Sequence, residues 1–168
     1  MEKTIIVTHG AGKGATPLAA FDAALFDAGI ANHNLIHLSS IIPVGFVPVI
    51  KRADCNYKGD YGDKMYAVFA EKREDRKGHE AWAGLGWVLT ETSPHKGLFI
   101  EHYGESEEEV IRLIHKSLPS MTKYRKENFG PVQYKTAGIV CEGEPVCTLV
   151  VAIYETEGWK GNSLFIEK

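Results

Sequence analysis

The residues predict an α+β fold: a sandwich of mostly antiparallel sheets carrying two helices. Three observations lead there. Strand-like and helical segments follow one another as β-α-β-(loop)-β-β-β-α-β-β, without the regular strand–helix alternation of a doubly wound parallel sheet. Each helical segment opens on its own start signal, Thr16-Pro17 for the first and Ser106-Glu-Glu-Glu109 for the second. A length of 168 residues suits one domain that buries its own core without disulfides or metal staples.

The elements follow in order. Residues 4–8 are β-branched and read as a strand. The glycine-rich run Gly10-Ala-Gly12-Lys-Gly14-Ala15 comes next and reads as a flexible turn with Lys13 on the surface. Thr16 is the N-cap and Pro17 the first residue of a helix that runs to about residue 28, where Gly29 offers a left-handed end. Residues 34–42 read as one nearly apolar, buried strand stopped by Pro43, and residues 44–63 as a loop with short edge pieces. Strands are expected at 65–70, 84–90 and 98–102, the last two joined by the turn at residues 93–97. The capping box at Ser106 opens a helix with Val110, Leu113, Ile114 and Leu118 on one side. Strands at about 133–141 and 146–155 close the domain around the turn at residues 142–145, and residues 163–166 are a candidate edge strand.

Charge and composition exclude several classes. A net charge of −3 offers no basic field for nucleic acid or an anionic membrane. No stretch approaches the roughly 20 apolar residues of a membrane helix, and the first residues lack a signal peptide's apolar segment, so a cytoplasmic location is expected. The three cysteines are not spaced as zinc ligands. Cys141 and Cys147 flank a turn and could face each other across a hairpin, though buried thiols are the simpler reading.

Two motifs compete with the reading that follows. Gly10-Ala-Gly12-Lys-Gly14-Ala15 matches a dinucleotide-binding pattern, but the next strand ends in Ser39-Ser40 with no carboxylate for a ribose. His33 and His37 share a face at strand spacing and suit either a metal or a structural, substrate-contacting role; no third ligand is near in sequence.

Two positions stand out chemically. At about 100° per residue, Leu18, Phe21, Leu25 and Phe26 form one broad helix face, and Asp22 falls inside it. A carboxylate on a core-facing stripe requires a partner; it either bonds a backbone turn or offers a fixed charge to a cationic ligand. Ser39 and Ser40 place adjacent hydroxyls at the end of the apolar run, where local backbone bonds would satisfy them equally well.

The block from Thr16 to Ile30, continuing as Asn34-Leu-Ile-His-Leu-Ser39-Ser40-Ile-Ile-Pro43, closely resembles the pyruvoyl-dependent arginine decarboxylases. Gly97-Leu-Phe-Ile-Glu101-His-Tyr-Gly104 resembles that family's segment with a catalytic glutamate. The resemblance implies a four-layer αββα sandwich and cleavage between Ser39 and Ser40 into a β chain (1–39) and an α chain (40–168). It implies that Ser40 becomes a covalent pyruvoyl group forming a Schiff base with L-arginine, with no metal and no pyridoxal phosphate. Glu101 is then the proton donor, whose apolar neighbours favour the protonated carboxyl. Asp22 holds the guanidinium, and Asn34 and Ser39 line the site. A straight strand would hold Asn34 and Ser40 about 20 Å apart at 3.3 Å per residue. Either the chain bends, or Asn34 serves a neighbouring protomer, as trimers, (αβ)3 or doubled, would arrange. His33 and the loop with Lys51, Arg52 and Cys55 depart from the family pattern and leave open a different amino acid; an unprocessed, non-enzymatic homologue also remains open.

Overall fold

The computed structural model describes residues 2–52 and 59–159; Cys55 and the candidate strand at 163–166 lie outside them. Sheet A has the order β2-β5-β9-β1-β4, from β1 (Lys3–Lys13), β2 (Asn34–His37), β4 (Phe46–Ile50), β5 (Lys64–Glu74) and β9 (Val146–Glu157). Sheet B has the order β3-β7-β6-β8, from β3 (Ile41–Ile42), β6 (Glu80–Leu89), β7 (Gly97–Gly104) and β8 (Gln133–Val140). Among the described residues, only the edge strands of sheet A, β2 and β4, run parallel to their neighbours. Between the sheets lies a core that includes Ile5, Val7, Val68, Leu85, Trp87 and Phe99. Helix α1 (Pro17–Asp27) covers the outer face of sheet A and α2 (Glu107–Thr122) that of sheet B, giving the four-layer αββα order expected. No described helix is long and apolar enough to cross a membrane.

The glycine-rich run is not a turn. β1 continues through it to Lys13, so Gly10, Gly12 and Gly14 fall on alternate positions facing α1. A Cβ at Gly10 would lie 2.2 Å from the Ala24 carbonyl oxygen, and one at Gly12 2.5 Å from the Ala24 nitrogen. The glycines therefore let α1 settle directly onto the sheet through Ala20, Ala24 and Ala28, which are fully buried. Helix α2 sits over Gly84 and Gly86 in the same way; a Cβ at Gly86 would meet Ile114 at 2.2 Å. Packing on backbone rather than a nucleotide explains the spacing.

Close seating also corrects the helix face. The buried stripe of α1 is Ala20, Ala24 and Leu25, whereas Leu18 and Phe26 are 66% and 60% exposed and Asp22 is exposed with them. Of the expected face, Leu25 is buried and Phe21 packs half-buried beside it, while Leu18 and Phe26 are turned outward because alanines make the contact with the glycines. The caps behave as read: Thr16 accepts from the Ala19 N–H at 3.1 Å and Ser106 from the Glu109 N–H at 3.2 Å. Glu109 reaches back to the Glu105 N–H at 3.0 Å, one residue before the N-cap.

Two expected continuities are broken. The run 34–42 is not one buried strand: β2 pairs with β5 in sheet A, β3 pairs with β7 in sheet B, and residues 38–40 cross between them. As edge pieces, residues 34–41 are half-buried or exposed, and Ile42 alone of the run is buried in the core. Likewise β8 and β9 belong to different sheets, so Cys141 and Cys147 do not face each other across a hairpin; both are free, buried thiols. Of the loop or short edge pieces expected over 44–63, the structure has β4, an edge strand that pairs in parallel with β1.

At the end of β5, Glu74 is 5% exposed and accepts from the N–H groups of Asp75 and Arg76 and from the Arg76 guanidinium at 2.7 Å. The Arg76 bonds, opposed by burial and joined by the backbone donors, hold this carboxyl down at about 2. Because the folded carboxyl is depressed, its stabilisation is present above the ordinary carboxylate range and is lost as pH falls toward about 2. Glu74→Gln keeps one acceptor oxygen but loses the charge and the second acceptor that face Arg76, and is expected to cost about 3 kcal/mol in denaturant titration at pH 7, a deficit that shrinks in acid.

Candidate active site

The crossover places Ser40 where two sheets part. Among the described residues it is the only non-glycine with positive φ, at 67°. Left-handed backbone costs a side chain with a Cβ roughly 1–2 kcal/mol. It persists here because both flanks are fixed: Leu38 donates its N–H to Ala67 O at 2.9 Å in sheet A, and the Ser40 carbonyl accepts from Phe99 N–H at 2.8 Å in sheet B. The strain is thus concentrated next to the Ser39–Ser40 peptide.

Ser40 Oγ donates a hydrogen bond to Glu101 Oε1. Glu101 projects from β7, with its side chain 24% exposed. The same oxygen lies 3.6 Å from His37 Nε2, at the end of β2, and the His37 ring stacks on Phe69 at 4.6 Å. Tyr154 of β9 closes the far side: its hydroxyl donates to Ile41 O at 3.0 Å. Burial, and then the charge of Glu101, push that phenol well above its ordinary range. His102 points to the opposite face of sheet B, bonded to Ser117 Oγ at 2.8 Å, and burial lowers its pKa.

Of the residues expected from sequence, the fold brings Ser39, Ser40 and Glu101 together. Asn34 stands apart: at the start of β2 its amide donates to Gly62 O at 2.6 Å. Asp22 faces outward from α1 and, among the described residues, has neither hydrogen-bond nor ion-pair partner. His37 joins Glu101 but not His33, which precedes β2 by one residue; four residues of strand separate the pair by about 13 Å, too far for one ion. Tyr154 was not anticipated; nothing in its apolar strand distinguishes it from a core tyrosine. A cavity of about 200 Å³ beside β3 is lined by residues including Ile42, Leu98, Arg125 and Phe129, and by none of these site residues.

This arrangement offers a strained serine, the Glu101 side chain on its hydroxyl and a Ser40 carbonyl held by the Phe99 N–H. The model of the family described as pyruvoyl-dependent arginine decarboxylase matches residues 4–157. Among curated proteins, a pyruvoyl-dependent arginine decarboxylase of Thermococcus sibiricus is 30% identical over 152 residues, covering 90% of this chain and 94% of its own. The pyruvoyl-dependent arginine decarboxylase 2 of Archaeoglobus fulgidus is 31% identical over 120 residues, 69% of this chain and 76% of its own. One from Halobacterium salinarum is 30% identical over 154 residues, 89% of this chain and 92% of its own. With its two helices, two mostly antiparallel sheets and near full-length match, the chain belongs to the pyruvoyl-dependent arginine decarboxylase family.

Proposed function

We propose that the chain cuts itself between Ser39 and Ser40, converts Ser40 into a pyruvoyl group, and decarboxylates L-arginine to agmatine. The observation that carries this reading is the left-handed Ser40 with its hydroxyl on Glu101. In the first step Ser40 Oγ passes its proton to the Glu101 carboxylate and attacks the Ser39 carbonyl. The C–O bond forms, the C–N bond breaks, and the nitrogen takes a proton to become an amine. Relief of the left-handed conformation favours this shift. Loss of the Ser40 α-hydrogen expels the Ser39 carboxylate and leaves dehydroalanine. Its tautomer, an imine, takes up water and releases ammonia, leaving the ketone.

The surroundings of residue 40 suit that group. The Phe99 N–H holds the residue 40 carbonyl, the one adjoining the ketone, in place to accept charge. Once formed, the pyruvoyl ketone supplies the electron sink that loss of carbon dioxide requires. Glu101 holds a proton beside residue 40 for delivery to the substrate α-carbon. Asp22 offers an exposed carboxylate, unpaired among the described residues, the natural partner of a guanidinium.

Asp22 and Asn34 lie apart from Ser40 on the same protomer, which supports a site shared between protomers of a homo-oligomer, (αβ)3 or a dimer of trimers. Leu18 and Phe26, exposed on either side of Asp22, supply apolar surface for such a contact.

Intact mass spectrometry together with carbon dioxide release from arginine tests the proposal. Fragments 1–39 and 40–168, the second bearing a ketone terminus, are expected in active protein. Active protein that retains one unbroken chain overturns the reading; cut protein that ignores arginine but accepts another amino acid overturns only the substrate. Asp22→Asn is expected to raise KM for arginine at least tenfold, and an unchanged KM removes the guanidinium role.

A further inference from the structure

We propose that His37 is the proton relay that recharges Glu101 from solvent between turnovers. The inference rests on Glu101 being the proton donor. Decarboxylation replaces a carboxylate on the α-carbon with hydrogen, so every cycle consumes one proton. A Glu101 that gives up its proton is left as a carboxylate and must regain one before the next cycle.

Few groups can return it. Glu101 Oε1 accepts from Ser40 Oγ and lies 3.6 Å from His37 Nε2, within ion-pair reach of the imidazole. The Glu101 side chain is only 24% exposed, whereas that of His37 is 52% exposed, so the imidazole spans the distance from bulk water to the carboxylate. Stacking on Phe69 at 4.6 Å, with planes 27° apart, holds the ring beside Glu101. The other titratable neighbours are poorly suited. Tyr154, reaching in from β9, is a weaker acid than an ordinary tyrosine and has its hydroxyl engaged with Ile41 O. His102, next to Glu101 on β7, turns to the α2 side and bonds Ser117. From β5, His37 meets the uncharged Phe69 ring.

The step balances simply. The imidazolium Nε2–H bond breaks as an O–H bond forms on Glu101, directly after a small ring rotation or through one water. The neutral ring then takes a proton from solvent at its exposed side. Histidine suits this duty because it changes charge nearest neutrality.

The test uses processed, full-length protein and L-arginine, with kcat and KM measured across pH, with and without free imidazole. His37→Gln is expected to cut normally by intact mass, to lose at least tenfold in kcat, and to change KM less than twofold. Free imidazole is expected to restore its kcat with saturation and to leave the parent enzyme unaffected. A kcat within twofold of the parent, or a loss that imidazole leaves untouched, overturns the relay. If His37→Gln remains uncut, His37→Phe, which keeps the stack on Phe69, carries the same test; failure of both to cut also overturns it. Glu101→Gln in the same assay separates the two claims. Full activity there refutes the donor assignment itself, while a dead Glu101→Gln beside an unimpaired His37→Gln refutes the relay alone.

Discussion

A Ser40→Ala chain is expected to run as one species of 18.6 kDa, with no fragments, no ketone and no decarboxylation. The methyl group replaces the atom that the proposed mechanism sends against the Ser39 carbonyl, and among the described residues that hydroxyl bonds Glu101 alone. The fold is expected to survive. The Phe99 N–H still finds the residue 40 carbonyl, and the anchors on both sides of the crossover are backbone bonds. Ser40→Gly sharpens the test, because glycine adopts φ near 67° without penalty and the chain gains stability while remaining uncut. Strain and nucleophile are thereby separated: relief of the backbone alone does not break the peptide. Intact mass and a denaturing gel decide the matter, and a normally cut Ser40→Ala chain would falsify the proposed chemistry.

The order of elements and both helix caps were legible because local chemistry fixes them: a proline after a threonine, or glutamates after a serine, report a helix start wherever the helix packs. The face that α1 buries was not. Its apolar residues lie on more than one side, and the deciding partner, the glycine row on β1, is a property of another segment. The same limit concealed the division of residues 34–42. Ile36 and Ile41 look equivalent in sequence, yet one pairs in sheet A and the other in sheet B, and only the three-dimensional layers impose the break at residues 38–40. Ser39, Ser40 and Glu101 came from a family likeness rather than from spacing, since sixty-one residues separate Ser40 from its carboxylate partner. His37 carried a weak signal, a histidine in an apolar run. Tyr154 carried none, because its role depends on where β9 lies relative to β3. Both belong to the site through neighbours that no sequence window contains.

Glu101→Gln is expected to separate the two reactions that the proposed mechanism assigns to one carboxylate. The amide oxygen can still accept the Ser40 hydroxyl, so the nucleophile remains aimed, but it is a far poorer base and has no acidic proton to give. Self-cleavage happens once in the life of a chain and tolerates a large slowing, so cut protein is expected after extended incubation. Decarboxylation needs the proton in every cycle, and its kcat is expected to fall by about 10²–10⁴, the usual contribution of a positioned acid. Single-turnover measurements on the cut variant locate the loss: carbon dioxide release proceeds while protonation of the product carbon lags. Should agmatine instead appear at the parental rate, the proton comes from another group. The Ser40–Glu101 bond would then serve cleavage alone, and the strained crossover, not the carboxylate, would be what this site requires of both steps.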